Sequence, residues 1–583
     1  MLLAKTRLGV PEKGFTCRKP SGSLLGLEGN AFLKKENSER EMESKTLTLG
    51  QLFEQSAPED SRKTLYFDRN GQELTFAVFY NRVELVTELL KKQGIKKGDV
   101  VALLSENTVN WACAYFAIAR VGGVALPLLP EMSDRDLALF FSAHEVALAF
   151  TSSGQKERLR QFAIGSLRTI VALENFSVEK LPENKEDFPG KLEREFEKFK
   201  KAALVFMKGL REEETVEVTP DDPFCILYVP DTKNCWQQVH LSHRNIISAA
   251  ENLAQTLQLH AEHRVAIFLP LSFTLPVLLG VLIPLLVNAQ AVLSDFPQDE
   301  KQFRQWLKRF RPTHLLVDTN YAQRLFKQSR KAGATESLFK RSLRLIRRLA
   351  LGFFKTSQPK DSVFSQNLQW LICTNFAPLG KQLRQFLVRE KINHRLLLGH
   401  FQTASVFMTG KAEDNLYWAQ GQLLPQFEWK ILAEGDDEKS GELALRGPMV
   451  SLNESDKKEI TDGYLKTGWL VRRHEARLCV LGRKASRILL PSGECIFPEL
   501  LEAVLNEYDW VAESLVYLEG DALFVRLYPE TVYANKVART HPERLAIELL
   551  QHINKQLPEN ARLHGVSIEE EPFKKNILGQ IIR

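Results

Sequence analysis

The stretch LYVPDTKNCWQQVHLSHRN, Leu227–Asn245, sets a hydroxyl, Thr232, beside an ammonium, Lys233, in a short polar loop that opens into a helix. Hydroxyls, an ammonium and the free amides of a loop-to-helix junction are the groups that hold a phosphate. Such loops rely on glycine, which lets backbone amides close around the phosphate oxygens. This stretch contains no glycine. Pro230 has no amide proton to give, and Asp231 would repel a polyphosphate. Further on, His400-Phe401-Gln402-Thr403-Ala404 offers an imidazole and a hydroxyl. It has no side-chain carboxylate with which to bind a hard cation.

Elements around these residues alternate. Phe76, Phe79, Tyr80, Val83, Val86 and Leu90 recur at helical spacing. Val100–Ser105 is a short apolar run suited to a strand buried on both faces. A helix over Trp111–Val121, a strand over Val124–Leu128, a helix over Asp134–Ala143 and a strand over Ala147–Thr151 follow. That order predicts an α/β layered domain with parallel pairing. Residues 190–214 read as a charged connecting helix. Val265–Val287 carries no charge and is long enough to span a bilayer. Pro270, Pro276 and Pro284, and the missing flanking anchors, point instead to a buried strand and helix. Near residue 482 the texture changes. A helix Pro498–Leu505, a hairpin turning at Glu519-Gly520-Asp521 and a helix from about Pro542 to Lys555 predict a small α+β unit.

The 583 residues suffice for two or more domains. With 44% apolar and 26% charged residues the composition is ordinary, and a net charge of +6 from 78 basic and 72 acidic side chains does not suggest nucleic-acid binding. The 7 cysteines are scattered without a CxxC pair, which fits a reducing cytoplasm better than a disulfide framework or zinc site. Residues 1–41 lack the apolar core of a signal peptide and are expected to be a disordered extension. Leu338–Lys355, LFKRSLRLIRRLALGFFK, has six basic residues and no acid. It is either a helix packed on its own domain or a peripheral contact with the inner face of a membrane.

Six segments occur in an order that resembles the adenylate-forming (AMP-binding) superfamily: LSHRN at 241–245, the LPL…PLL run at 269–286, GELALRGP at 441–448, DGYLKTG at 462–468, GRKASRI at 482–488 and SGECIFPELLE at 492–502. The similarity covers about residues 46–583 and is strongest to acyl-CoA synthetases, with THLLVDTNYAQRLF (313–326) and the basic insert favouring the long-chain branch or its acyl-carrier-protein counterpart. The resemblance implies an α/β fold, with a large layered domain at 42–481, a small mobile α+β domain at 482–583 and a site between them. It also implies ATP and Mg2+ chemistry that makes an acyl-adenylate, then transfer to coenzyme A or acyl carrier protein.

The same resemblance implies that the chemical positions have been replaced. On Tyr228–Gln238 the family pattern YTSGTTGxPKG keeps only Tyr228 and Thr232. Pro230 stands for its serine, Asp231 and Asn234 for glycines, Trp236 and Gln237 for its proline and lysine. Lys233 is the one candidate replacement phosphate ligand. In the family's YGxTE, His400 could still stack on a purine and Thr403 matches, while Ala404 replaces the metal-binding glutamate. Asn375 and Phe376 replace paired glycines, Phe273 a histidine and Trp469 the ribose-binding aspartate. Arg483 matches an arginine that reaches ribose and phosphate, Ser486 lies at the hinge, and Gln580 replaces the adenylation lysine. Lys574 and Lys575 read as surface lysines. The leading expectation is a pseudoenzyme without normal ligase activity and with no well-bound cofactor or metal, keeping an affinity for a fatty acid, an acyl thioester or a protein partner. One alternative is an active long-chain acyl-CoA or acyl-ACP synthetase with a rebuilt site. Another is a scaffold for an active paralogue.

Overall fold

Short apolar runs become strands buried on both faces, and Val100–Leu104 and Val124–Leu128 are each followed by a helix with its own side-chain cap. Val100–Leu104 is wholly buried. The Asp134–Ala143 helix begins where the Ser133 hydroxyl accepts the Asp136 amide (3.2 Å). The His243–Leu257 helix begins at a reciprocal cap between Ser242 and Asn245. The computed structural model describes residues 47–181, 217–327 and 367–583, with short breaks at 59, 162–165, 231–234, 298, 375–378, 412–418, 434–437, 452–458, 475–476, 492, 494, 531–541, 556, 558 and 577–579. The readings of 1–41, 190–214 and 338–355 lie outside these residues.

Two sheets organise the large domain. The seven-stranded sheet runs Val178–Lys180, Thr169–Ala172, Leu148–Thr151, Val100–Leu104, Val124–Leu128, Pro223–Pro230, Trp236–Ser242, parallel except at its two edge strands. The fourteen-stranded sheet has a parallel portion from Thr64–Phe67 to Asn393–His400. It continues as an antiparallel portion through Ser405–Lys411, Ala419–Leu423, Arg477–Arg483, Tyr464–His474 and Ser440–Arg446. The helices Phe76–Lys92, Val109–Arg120 and His243–Leu257 contribute to the largest core, which joins side chains of both sheets. Further helices cover the outer faces.

The uncharged 265–287 stretch is interior. It forms the strand Arg264–Ile267 and then a helix from Thr274 to Leu286 whose middle, Leu278–Leu282, is π-wound. Gly280 lets it lie on the sheet, since a Cβ there would come 2.8 Å from Ile267 Cγ1. No helix of the described residues is long and apolar enough to cross a membrane.

The last strand of the large sheet ends at Arg483. The small α+β domain then builds the Pro498–Leu505 helix, the Val511–Glu519/Ala522–Pro529 hairpin turning at Gly520 (φ 60°), the Pro542–Asn554 helix and a parallel strand, Leu563–Ile568. It is tied to the large domain by Lys327, whose ammonium donates to the carbonyls of Asn506 (2.7 Å), Tyr508 (3.0 Å) and Val511 (3.0 Å).

Candidate functional site

Pro223–Pro230 and Trp236–Ser242 pair as an antiparallel hairpin with Pro230 opposite Trp236. Asp231, Thr232, Lys233 and Asn234, which join them, lie outside the described residues, as do Asn375 and Phe376. The hairpin's inner side is packed. Tyr228 stacks on Phe140 with centroids 3.6 Å apart, and Trp236 sets its ring edge-on to Phe140 at 5.4 Å. The Tyr228 hydroxyl lies 2.8 Å from His144 Nε2. The Gln238 amide lies 3.3 Å from the same nitrogen and bonds His240 Nε2. Burial holds His144 at about 4 and His240 at about 3, so both are neutral near pH 7. Gln237, on the same strand and exposed, replaces the lysine of the resembled pattern with an uncharged amide.

The second wall is the end of the Asn393–His400 strand. The chain makes one tight turn, Phe401–Thr403, and enters a left-handed residue, Ala404 (φ 48°). His400 Nδ1 accepts the Gln402 amide (3.3 Å), and the Thr403 hydroxyl donates to the His400 carbonyl (2.8 Å). Thr403 and Ala404 are both fully buried. Thr403 therefore matches the pattern in identity, but its hydroxyl proton is spent inside the turn. Burial, then the nearby charge of Arg483, holds His400 at about 4. Phe273 faces Phe401, with ring centroids 6.3 Å apart.

The third wall brings Trp469 opposite Arg483 on neighbouring antiparallel strands. The Arg483 guanidinium carbon lies 5.0 Å from the indole centroid, a cation–π distance. Burial lowers the Arg483 pKa, and Glu499 of the small domain partly offsets that. One strand over, the buried Glu442 accepts the Gly468 amide (3.1 Å) and Lys484 Nζ (3.0 Å). Ser486 Oγ stays local, donating to the Arg483 carbonyl (3.4 Å). Gln580 is held by Asn576 through both backbones and both side-chain amides, at 2.9–3.3 Å. Lys575 pairs with Glu513.

His400, Trp469 and Arg483 thus stand near one another, with Thr403 and Ala404 in the adjoining turn and Phe273 against Phe401. The donor set there does not suit a magnesium nucleotide. Ala404 offers a buried methyl, and the arginine is already stacked. Among the described residues no cluster of three His, Cys, Asp or Glu side chains could hold a metal ion.

Residues 53–453 match the family of AMP-binding enzymes. The chain belongs to that family. It is 22% identical over 531 residues to the peroxisomal OPC-8:0-CoA ligase 1 of Arabidopsis thaliana, covering 88% of each chain. It is 23% identical over 500 residues to the long-chain-fatty-acid–CoA ligase of Escherichia coli O157:H7, covering 80% of this chain and 82% of that one. The fold matches the O-succinylbenzoate coenzyme A synthetase of Bacillus subtilis in complex with ATP and magnesium ion, with a TM-score of 0.67, 19% identity, and 91% and 98% of the two chains covered. It also matches the anthranilate CoA ligase AuaEII in complex with anthranoyl-AMP, with a TM-score of 0.69, 16% identity, and 92% and 96% coverage.

Sequence reasoning missed several residues around this cleft. Glu442 sits inside the quoted GELALRGP segment and Lys484 inside GRKASRI, so both were in view without an assigned partner. Their pairing joins residues 42 positions apart. Glu499, inside SGECIFPELLE, and Tyr228, Gln238 and His240, inside the Leu227–Asn245 stretch, were likewise in view, but their approach to Arg483 and His144 had no local signal, because it is made by packing between distant elements.

Proposed function

We propose that this AMP-binding family member is an acyl-CoA-synthetase-like pseudoenzyme. It lacks normal ATP-dependent ligase activity and keeps the fold as a binder of a fatty acid, an acyl thioester or a protein partner. The observation that carries the proposal is Arg483 lying on Trp469. The one surviving arginine of the nucleotide site spends its face on an indole that stands where a ribose acceptor would be. Ala404 supports it, buried where a metal-binding carboxylate is needed, as does Gln580, an uncharged amide turned onto Asn576. The arithmetic favours loss. Each missing preorganised contact costs about 10²–10³ in rate. His400, held neutral, and Thr403, bonded within its own turn, supply no compensating charge.

ATP–pyrophosphate exchange with a panel of fatty acids tests the proposal. Exchange at the level of a protein-free blank is expected. Acid-dependent exchange above it would establish an active synthetase and return attention to Lys233.

A further inference from the structure

Three helices cover the outer face of the large sheet: Glu300–Phe310, residues 319–327, and Lys381–Arg389. Phe303, Leu307, Leu325, Phe326, Leu383 and Leu387 bury their inner sides in a single core, and the Phe326 and Phe386 rings meet at 5.2 Å. The outer side is lopsided in charge. Residues 299–311 carry five basic and two acidic side chains, 318–327 two and one, and 381–391 four and one. Arg384 is buried and Lys327 is spent on the small domain, which leaves seven exposed cations, Lys301, Lys308, Arg309, Arg311, Arg324, Arg389 and Lys391.

The acids neutralise part of the face: Glu390 pairs with Arg389 (3.3 Å), and Glu507 and Asp509 of the small domain stand against its edge at Lys327 and Gly380. Asp299 caps its own helix, accepting the Gln302 amide (2.8 Å), and Asp318 accepts the Tyr321 amide (2.8 Å). Two of the exposed cations, Arg311 (φ 46°) and Lys391 (φ 59°), follow helix ends in the left-handed conformation where glycine is usual. Helix dipoles account for cations at those ends. They do not account for Lys301 in a first turn or Arg324 within its helix. Beside Arg389 stands Val388, 71% exposed, more than any other large apolar side chain of the described residues.

We propose that this helix layer is a docking surface for an anionic lipid bilayer. Seven exposed cations spread over three helices and the residues that follow them suit a flat sheet of headgroup phosphates. An exposed valine among the cations suits insertion between headgroups, which neither an acidic protein nor a nucleic acid requires. A cation near such a surface contributes about fivefold in affinity. The proposal is independent of whether the cleft adenylates.

The test is co-sedimentation of the full chain with vesicles of phosphatidylcholine, alone or with about 30 mol% phosphatidylglycerol, a strongly anionic surface. Binding to the anionic vesicles only, weakened by salt, is expected. Replacing Lys308, Arg311 and Lys391 together by glutamine should weaken it about 10²-fold. The separate pair Lys301→Gln and Arg324→Gln should weaken it about 25-fold. All five sites are exposed, and circular dichroism checks that each variant is folded. Val388→Ser should weaken vesicle binding by up to about tenfold and leave binding to soluble polyglutamate unchanged. Three results would overturn the proposal. One is equal binding to neutral vesicles, or none to either. Another is binding lost when the basic residues of 338–355 are neutralised but indifferent to both helix-layer variants. The third is polyglutamate binding as tight as vesicle binding, with Val388→Ser affecting neither, which would point to an acidic protein.

Discussion

Trp469→Ala and Arg483→Ala, singly and together, measure whether the arginine is held by the protein or left for a ligand. The guanidinium lies 5.0 Å from the indole centroid, and burial has already lowered the Arg483 pKa. A cation–π contact contributes about 0.5–1 kcal/mol when exposed and about 2 kcal/mol when desolvated. The half-buried indole also packs on the main core. Full Trp→Ala truncation costs about 3–5 kcal/mol, so about 2 kcal/mol is expected for this half-buried ring. The double variant should then lose about 1–2 kcal/mol less than the two single losses combined. Urea denaturation followed by circular dichroism reads each value. Trp429 and Arg473, 5.7 Å apart on a more exposed ring, form an internal control that should couple by less than about 1 kcal/mol. A coupling indistinguishable from zero, within about 0.3 kcal/mol, would refute the reasoning. The arginine would then be free to meet a nucleotide. If the coupling is as expected, leaving the indole would weaken any ligand that recruits Arg483 by about 5–30-fold.

Acid should destabilise the protein before its carboxylates titrate. His144 and His400 sit at about 4 and His240, His243 and His314 at about 3, all pushed down chiefly by burial. The unfolded chain binds these protons near pH 6.5, so the stability they confer is full above that pH and is lost as pH falls toward 3–4. Up to about 2 kcal/mol per histidine is at stake between pH 7 and 5, and a urea midpoint unchanged over that range would contradict it. Ala404→Glu should cost about 3 kcal/mol or more, because a carboxylate would enter a fully buried, left-handed position. A melting temperature that is retained and rises with magnesium would show instead that the position is open. Lys327→Met removes three hydrogen bonds from an ammonium and should loosen the small domain by about 2–5 kcal/mol. Faster trypsin cleavage at Lys484 or Arg487 is the expected sign, and an unchanged rate would sink it.

Local patterns announced much of the fold. Asp134–Ala143, Val124–Leu128 and Pro498–Leu505 form over the residues that periodicity, capping and proline placement predict. The Val511–Glu519/Ala522–Pro529 hairpin turns at the expected glycine. Such elements are set by residues three or four apart. The identities of Ala404, Trp469, Arg483 and Gln580 were in view through the family resemblance. What those residues do to one another was not. Trp469 meets Arg483 through cross-strand register, and Thr403 spends its hydroxyl on a turn whose tightness no spacing rule reveals. The π-wound stretch at 278–282 was also hidden, because a buried apolar run looks alike in sequence whether wound as an α- or a π-helix.

The most direct measurement is an ATP–magnesium titration to millimolar levels, followed by melting temperature and by calorimetry. A ligand bound only by the folded state at about 100 times its dissociation constant adds about 2.7 kcal/mol. With Arg483 stacked, Ala404 closed and Gln580 turned away, the melting temperature should stay where salt alone leaves it, with no saturable heat. A saturable, magnesium-dependent stabilisation that Arg483→Ala abolishes would contradict the proposed pseudoenzyme.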